Sequence, residues 1–137
     1  MIVISIDLGH ARTGFAISDK NGFLASSLCV VTEYSDERLV QKAAALVKEN
    51  KAELIVVGLP KNMDGSEGES AVRARRLAAE IGEAAGVPYV MQDERGTTIT
   101  AHAYLSAKEV YGKKRKKQVD AVAASIILQD YLDSQKG

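Results

Sequence analysis

The sequence predicts an α/β fold: a mixed five-stranded sheet, its first three strands antiparallel, with helices on both faces. Three observations point there. Residues 2 to 7 alternate, with Ile2, Ile4 and Ile6 on one side and Val3, Ser5 and Asp7 on the other. Residues 54 to 57 form a short, continuous, β-branched apolar run, as suits a strand covered on both faces. Between and after such segments lie stretches whose apolar residues recur at helical spacing. The resulting order is βββαβαβαα.

Taken in order, the first strand leads through a six-residue connection, Gly9 to Gly14, into a second strand over residues 15 to 18. Asn21-Gly22 supplies the positive-φ pair of a tight hairpin into a third strand over residues 23 to 31. Ser35 is placed to cap a helix with Asp36 and Glu37 in its first turn, where negative charge suits the helix dipole. Its apolar stripe is Leu39, Ala43, Leu46 and Val47, and it runs to about Asn50. After the strand at 54 to 57 and Gly58-Leu59-Pro60, a polar loop from Lys61 to Glu69 precedes a second helix. That helix buries Val72, Leu77, Ala78, Ile81 and Ala85 and is closed by Gly86, with Pro88 just beyond. Residues 89 to 91 form the fifth strand. Thr97 or Thr98 caps a shorter helix to about Ala107. Gly112 and the basic run Lys113, Lys114, Arg115, Lys116 and Lys117 then interrupt the pattern before a final helix over about 119 to 132, which buries Ala123, Ile126, Ile127 and Leu128.

The 137 residues suit a single domain, 1 to 137, and no Pro/Gly/Ser-rich linker divides them. Apolar residues at 46% and charged residues at 26% exclude a disordered chain. No membrane-length apolar stretch and no leader pattern is visible, so a cytoplasmic protein that does not engage a membrane is expected. A lone Cys29 excludes an internal disulfide and reads as a small buried hydrophobe. The formal net charge of zero excludes a uniformly basic nucleic-acid binder, so the distribution of charge decides.

In open α/β sheets ligands collect beyond the carboxyl ends of the parallel strands. Three polar clusters fall there: Asp7, the loop from Lys61, and Asp93-Glu94-Arg95. An ionised Asp7 in a central strand needs a cation, a positive partner or water. A helix- or loop-capping carboxylate is its ordinary alternative. Asp120 falls in the first turn of the final helix, with Ala123, Ala124 and Ile127 on its side at i+3, i+4 and i+7; an N-terminal helix acid is the ordinary reading there. Carboxylates are natural ligands for hard divalent ions, and two such ions can activate a water and stabilise the leaving oxygen of a phosphodiester. Mg²⁺ or Mn²⁺ suits this set, and the lack of clustered His and Cys argues against zinc.

Four ordered blocks stand out: Ile6-Asp7-Leu8-Gly9 with Arg12, Gly14, Ala16 and Asp19; Gly58-Leu59-Pro60 with Asn62-Met63-Asp64-Gly65-Ser66; Asp93-Glu94-Arg95 with Thr97-Thr98; and Val119-Asp120-Ala121-Val122-Ala123-Ala124 before Ile127-Leu128-Gln129. Together they resemble the YqgF family, also called the RuvX or pre-16S rRNA nuclease family and related to Holliday-junction resolvases. The likeness covers nearly the whole chain. It implies an RNase H-like fold and a metal-dependent endonuclease acting on structured nucleic acid, with processing of the 5′ end of precursor 16S rRNA as the leading activity. Junction resolution on four-way DNA and a non-catalytic role in transcription are the alternatives. The family's catalytic, metal-holding acids carry over to Asp7, Glu94 and Asp120, with Asp93 as the other member of its pair. Gly96 departs from the pattern, standing where the family usually has an apolar residue.

Arg12, Asn62, Arg95 and Lys113 to Lys117 are the candidate nucleic-acid contacts, although a run of like charges is ordinarily a solvated loop. Asp64, Gly65 and Ser66 form a flexible turn that closes over substrate or is simply a surface turn. Glu67 and Glu69 read as solvated, His10 as a satisfied loop histidine and His102 as structural. Aromatic residues, at 5%, lack the interleaving of a base-stacking platform, so backbone and shape dominate recognition. Precursor rRNA or branched DNA, and ribosomal particles with the former, are the expected partners of a monomer or homodimer. Gly9 and Gly14 have P-loop spacing, but Phe15 and Ala16 replace the required Lys and Ser or Thr. The hairpin also resembles the phosphate loop of actin-like kinases, whose second lobe and second hairpin are missing.

Overall fold

The structure, a computed structural model, describes residues 1–94 and 112–135, with the side chains of 112–120 excepted. Strand β1 (Val3–Asp7) lies at the centre of the sheet. It pairs antiparallel with β2 (Arg12–Ser18), which pairs antiparallel with β3 (Ala25–Thr32). On its other side β1 runs parallel to β4 (Leu54–Leu59), and β4 parallel to β5 (Tyr89–Asp93), giving the order β3-β2-β1-β4-β5. This is the mixed sheet the sequence predicts.

The alternation in β1 separates two cores. Ile4 and Ile6 join Phe15, Ile55 and Val57 beneath α1 (Asp36–Glu49) and α2 (Glu69–Ala85). Val3 joins Ala16 and Val56 on the opposite face, beneath the helix Gly112–Ser134, here α3. Helices therefore cover both faces, and Asp7 shares the pleat parity of Val3 and Ser5, the α3 side. Ser35 caps α1 by accepting from Arg38 N at 3.3 Å, and Gly86 closes α2 in the left-handed region at φ 69°. Cys29 is half-buried at the edge of the first core, and burial pushes its thiol up. Among the described residues no helix is long and apolar enough to cross a membrane.

Several boundaries differ from expectation. Strand β2 begins at Arg12, not Phe15, because Gly14 pairs with Asp7 of β1 and Arg12 and Thr13 pair with Thr32 and Val31 of β3; this pairing overrides the loop-like composition. The Asn21-Gly22 turn is not a two-residue hairpin. Gly22 has φ +72°, Asn21 has no positive φ, and a longer loop is organised by Asp19, whose carboxylate accepts from Phe23 N at 2.8 Å and Leu24 N at 3.4 Å. Phe23 and Leu24 are accordingly exposed, and β3 starts at Ala25. Val72 is 64% exposed, since α2 buries the neighbouring stripe of Ala71, Ala74, Leu77, Ala78 and Ile81, whose alanines bring the helix close to the sheet.

The final helix starts at Gly112, not near residue 119, and includes the basic run. Lys and Arg are good helix formers, so five of them in succession continue the helix instead of interrupting it. The shorter helix expected from Thr97 or Thr98 to Ala107, and with it His102, lies outside the described residues. Polar clamps fasten α3 to the sheet. Ser5 Oγ donates to Ala124 O at 2.6 Å, and Ser27 Oγ donates to Ala121 O at 3.2 Å. Gln129 accepts from Ala25 N at 2.9 Å and donates to Phe23 O at 3.0 Å.

Candidate active site

Pleat parity selects which acids can meet. Val56 and its register partner Val90 both pack on the α3 side, so Gly58 and its partner Gln92, two residues on, share that side. Glu94 N donates to Leu59 O at 3.2 Å, which continues the ladder and brings Glu94 back to the α3 side. Asp93, opposite Leu59, takes the other parity and is exposed. Glu94, not Asp93, thus shares a face with Asp7.

The two carboxyl groups are hydrogen-bonded to each other. Burial, then the charge and hydrogen bond of Asp7, then the charge of Asp93, push Glu94 up to about 9. Near neutral pH Glu94 is therefore protonated, and one proton neutralises part of a site that two ionised acids could occupy only with a cation. Beneath the Glu94 carboxyl lies Gly58, which is buried. A Cβ there would strike Glu94 Oε2 and come within 2.8 Å of Ile127 Cδ1.

Asp120 lies in the third turn of α3, not its first, so its backbone position is interior to the helix and the N-terminal-acid reading no longer applies. Helical register puts it one turn before Ala123 and Ala124, which are buried against the sheet. Its side chain lies outside the described residues, as do Arg95, Gly96 and the side chains of Lys113, Lys114, Arg115, Lys116 and Lys117. Among the described residues there is no group of three or more His, Cys, Asp or Glu placed to hold a metal. What the structure brings together is the pair Asp7 and Glu94.

The surrounding loops are tightly held. A Cβ on Gly9 would run into the Arg12 carbonyl oxygen, so the turn after Asp7 requires the absence of a side chain. Arg73 Nη1 donates to Gly9 O at 3.0 Å, while its Nε and Nη2 donate to Asp36 Oδ1 at 3.3 and 2.8 Å. Arg76 completes this cluster at 2.8 Å from Asp36 Oδ2. Arg12 heads β2 at the same end of the sheet, two residues before the partner of Asp7, and His10 is exposed.

The loop after β4 is a small closed hairpin, not an open polar segment. Asn62 Nδ2 donates to Ser66 Oγ at 2.9 Å, Asp64 Oδ1 accepts from Ser66 N and Oγ at 2.9 and 2.6 Å, and Gly65 turns at φ 90°. The amide of Asn62 is thus engaged within the turn. Glu67 is ion-paired with Arg75 at 2.8 Å, not merely solvated. Sequence reasoning passed over Gly58, Ser5 and Arg73 as parts of the site. The available signals were a glycine inside an apolar strand and a lone hydroxyl in β1.

The sequence profile of RuvX, described as a Holliday junction resolvase, matches residues 1–134. The chain belongs to the RuvX family. Two relatives, each named "Putative pre-16S rRNA nuclease", come from Shouchella clausii and Geobacillus kaustophilus. The first is 42% identical, over 98% of this chain and 96% of its own; the second is 40% identical, over 99% and 100%. The structure of Thermus thermophilus RuvC in complex with Holliday junction substrate superposes with a TM-score of 0.65 at 17% identity, covering 100% of this chain and 96% of that one. The Fowlpox virus resolvase bound to junction DNA gives 0.62 at 11% identity, covering both chains fully. The fold is RNase H-like, and this member of the RuvX family is a nuclease, a hydrolase acting on phosphodiester bonds. Resolvases and nucleases of this fold generally use divalent metal ions.

Proposed function

We propose that this RuvX-family chain is a metal-dependent endonuclease that processes the 5′ end of precursor 16S rRNA in the cytoplasm, on free RNA or on ribosomal particles. The observation that carries the metal-dependent reading is the Asp7–Glu94 pair at the carboxyl ends of β1 and β5. These hard oxygen donors fit Mg²⁺ or Mn²⁺: two half-buried acids share a proton where a cation would remove the need for one. Asp7 and Glu94 hold the ion together with Asp120, from the helix that covers the same face. When bound, the ion supplies an activated water and stabilises the leaving oxygen of the phosphodiester.

The protein's own groups do the rest. Asp7 and Glu94 fix the reacting end of the sheet, and the Arg73-to-Gly9 hydrogen bond holds the turn that follows Asp7. Arg12, Arg95 and Lys113 to Lys117 bind the phosphate backbone, while the Asn62 amide, engaged with Ser66, shapes the turn that follows β4. The basic run precedes Asp120 by three to seven residues in one helix, about 5–10 Å along its axis. Phosphates gripped there are led toward the acids without base readout.

The names of the curated relatives support rRNA as substrate. The family description and the junction-bound neighbours of the same fold favour a second reading, resolution of four-way DNA, for which a homodimer would match a two-fold substrate. The test is cleavage of precursor 16S rRNA and of a four-way DNA junction by the native protein in Mg²⁺, Mn²⁺ or chelator. Metal-dependent cutting of the RNA at a defined position is expected. Preferential cutting of the junction would replace rRNA processing with the resolvase reading, and binding without cutting of either would leave a non-catalytic factor.

A further inference from the structure

Strands β1 and β5, which present Asp7 and Glu94, are not neighbours; β4 runs between them. Adjacent strands lie about 4.8 Å apart, so the two acids start from backbones separated by roughly 9–10 Å. They nevertheless hydrogen-bond, and the Glu94 carboxyl reaches Asp7 by passing over β4 at Gly58. A Cβ at position 58 would strike Glu94 Oε2 and lie 3.0 Å from Glu94 Cδ. Resting on the reading of Asp7 and Glu94 as ion-holding acids, we propose that Gly58 is a positioning residue for the cleavage reaction: lacking a side chain, it opens the passage across β4 through which Glu94 joins Asp7.

Backbone conformation does not account for the glycine. Positive φ occurs at Gly22, Gly65 and Gly86, whereas Gly58 is an extended strand residue whose neighbours Val57 and Leu59 carry full side chains. The same passage explains the length of the acid. A glutamate can span the intervening strand, and an aspartate at position 94 would stop short. Simple close packing of α3 is the competing explanation, because Ile127 Cδ1 lies 2.8 Å from the same virtual Cβ. Ile127→Val removes that methyl and leaves Glu94 untouched, so the two explanations separate.

The experiment is calorimetric titration of the metal-free protein with Mn²⁺ alone, alongside melting temperature and RNA affinity in chelator. Gly58→Ala is expected to weaken Mn²⁺ binding at least tenfold. Adding Ile127→Val should recover melting temperature but not Mn²⁺ affinity, and this double variant carries the test if Gly58→Ala alone fails to fold. In a Glu94→Asp background, Gly58→Ala should change Mn²⁺ affinity less than twofold, since the shorter side chain no longer lies over position 58. Mn²⁺ affinity in Gly58→Ala/Ile127→Val equal to that of Ile127→Val overturns the proposal and leaves a packing glycine. Failure of the functional reading looks different: native protein then binds no Mn²⁺, or Asp7→Asn binds it as well as native.

Discussion

Asp36 and Glu94 are both acids packed against other charged groups, and the fold treats them in opposite ways. Arg73 grips Asp36 and Arg76 supports it, and together they hold its carboxyl below the usual range. Glu94 meets burial, Asp7 and Asp93, all of which push it up. The Asp36 cluster completes its charge balance inside the protein and fixes the Gly9 turn through Arg73. The pair at the end of β1 and β5 has its balance made by a proton, which a divalent ion can replace. An acid balanced by arginines is a strut, whereas acids forced onto one another form a place for a cation.

Substituting each acid breaks the comparison most directly. Glu94→Gln should lower cleavage by roughly 10²–10⁴-fold, several kcal/mol of transition-state stabilisation, while Asp36→Asn keeps the rate within about threefold; single-turnover rates check both. The next effect is on stability against pH in chelator. Glu94 is raised above its ordinary 4.5, so between that value and about 9 the folded state binds more protons than the unfolded state. Metal-free stability therefore falls as pH rises through this window, by at most about 1.4 kcal/mol per pH unit. Glu94→Gln should flatten the fall in a denaturation series.

Asp36 has the opposite sign. Its folded-state value is lowered, so its contribution is present above the ordinary 3.8 and is lost as pH falls through the folded value. Asp36→Asn should cost about 1 kcal/mol near neutrality, an exposed ion-pair cluster being worth little more, and the difference from native should vanish in strong acid. The smallest effect is expected from Lys116→Ala. It should reduce the slope of log affinity against log salt by about 0.7 for single strands or 0.9 for duplex, with cut position unchanged.

Local chemistry made much of the fold legible. The alternation in β1, the Ser35 cap and the Gly86 stop are each set within a few residues, and each is found where its pattern placed it. Features set by pairing were not legible in this way. Arg12 and Thr13 resemble loop until β3 pairs with them, and Val72 resembles a core residue until the alanine stripe beside it turns to the sheet. The start of α3 is hidden in the sequence because like charge suggests an interruption, whereas Lys and Arg sustain a helix.

At the site, Asp7 was legible from its place at the end of a strand, whereas Asp120 reads as a first-turn residue of a helix that in fact begins at Gly112, and its side chain lies outside the described residues. In sequence only family resemblance separates Glu94 from Asp93; the parity running from Val90 through Gln92 supplies the physical reason. Gly58 stands out only as a glycine in an apolar strand; its role was out of reach, because Glu94 and Ile127, which lie over it, are remote in sequence.

Cleavage of precursor 16S rRNA by native protein and by Asp7→Asn, side by side in Mg²⁺, Mn²⁺ and chelator, tests metal-dependent cutting at this acid pair most directly. Native protein should cut only with metal, and Asp7→Asn should lose about 10³-fold in rate while keeping its melting temperature and RNA affinity. Cutting by native protein in chelator, or by Asp7→Asn at the native rate, would contradict it.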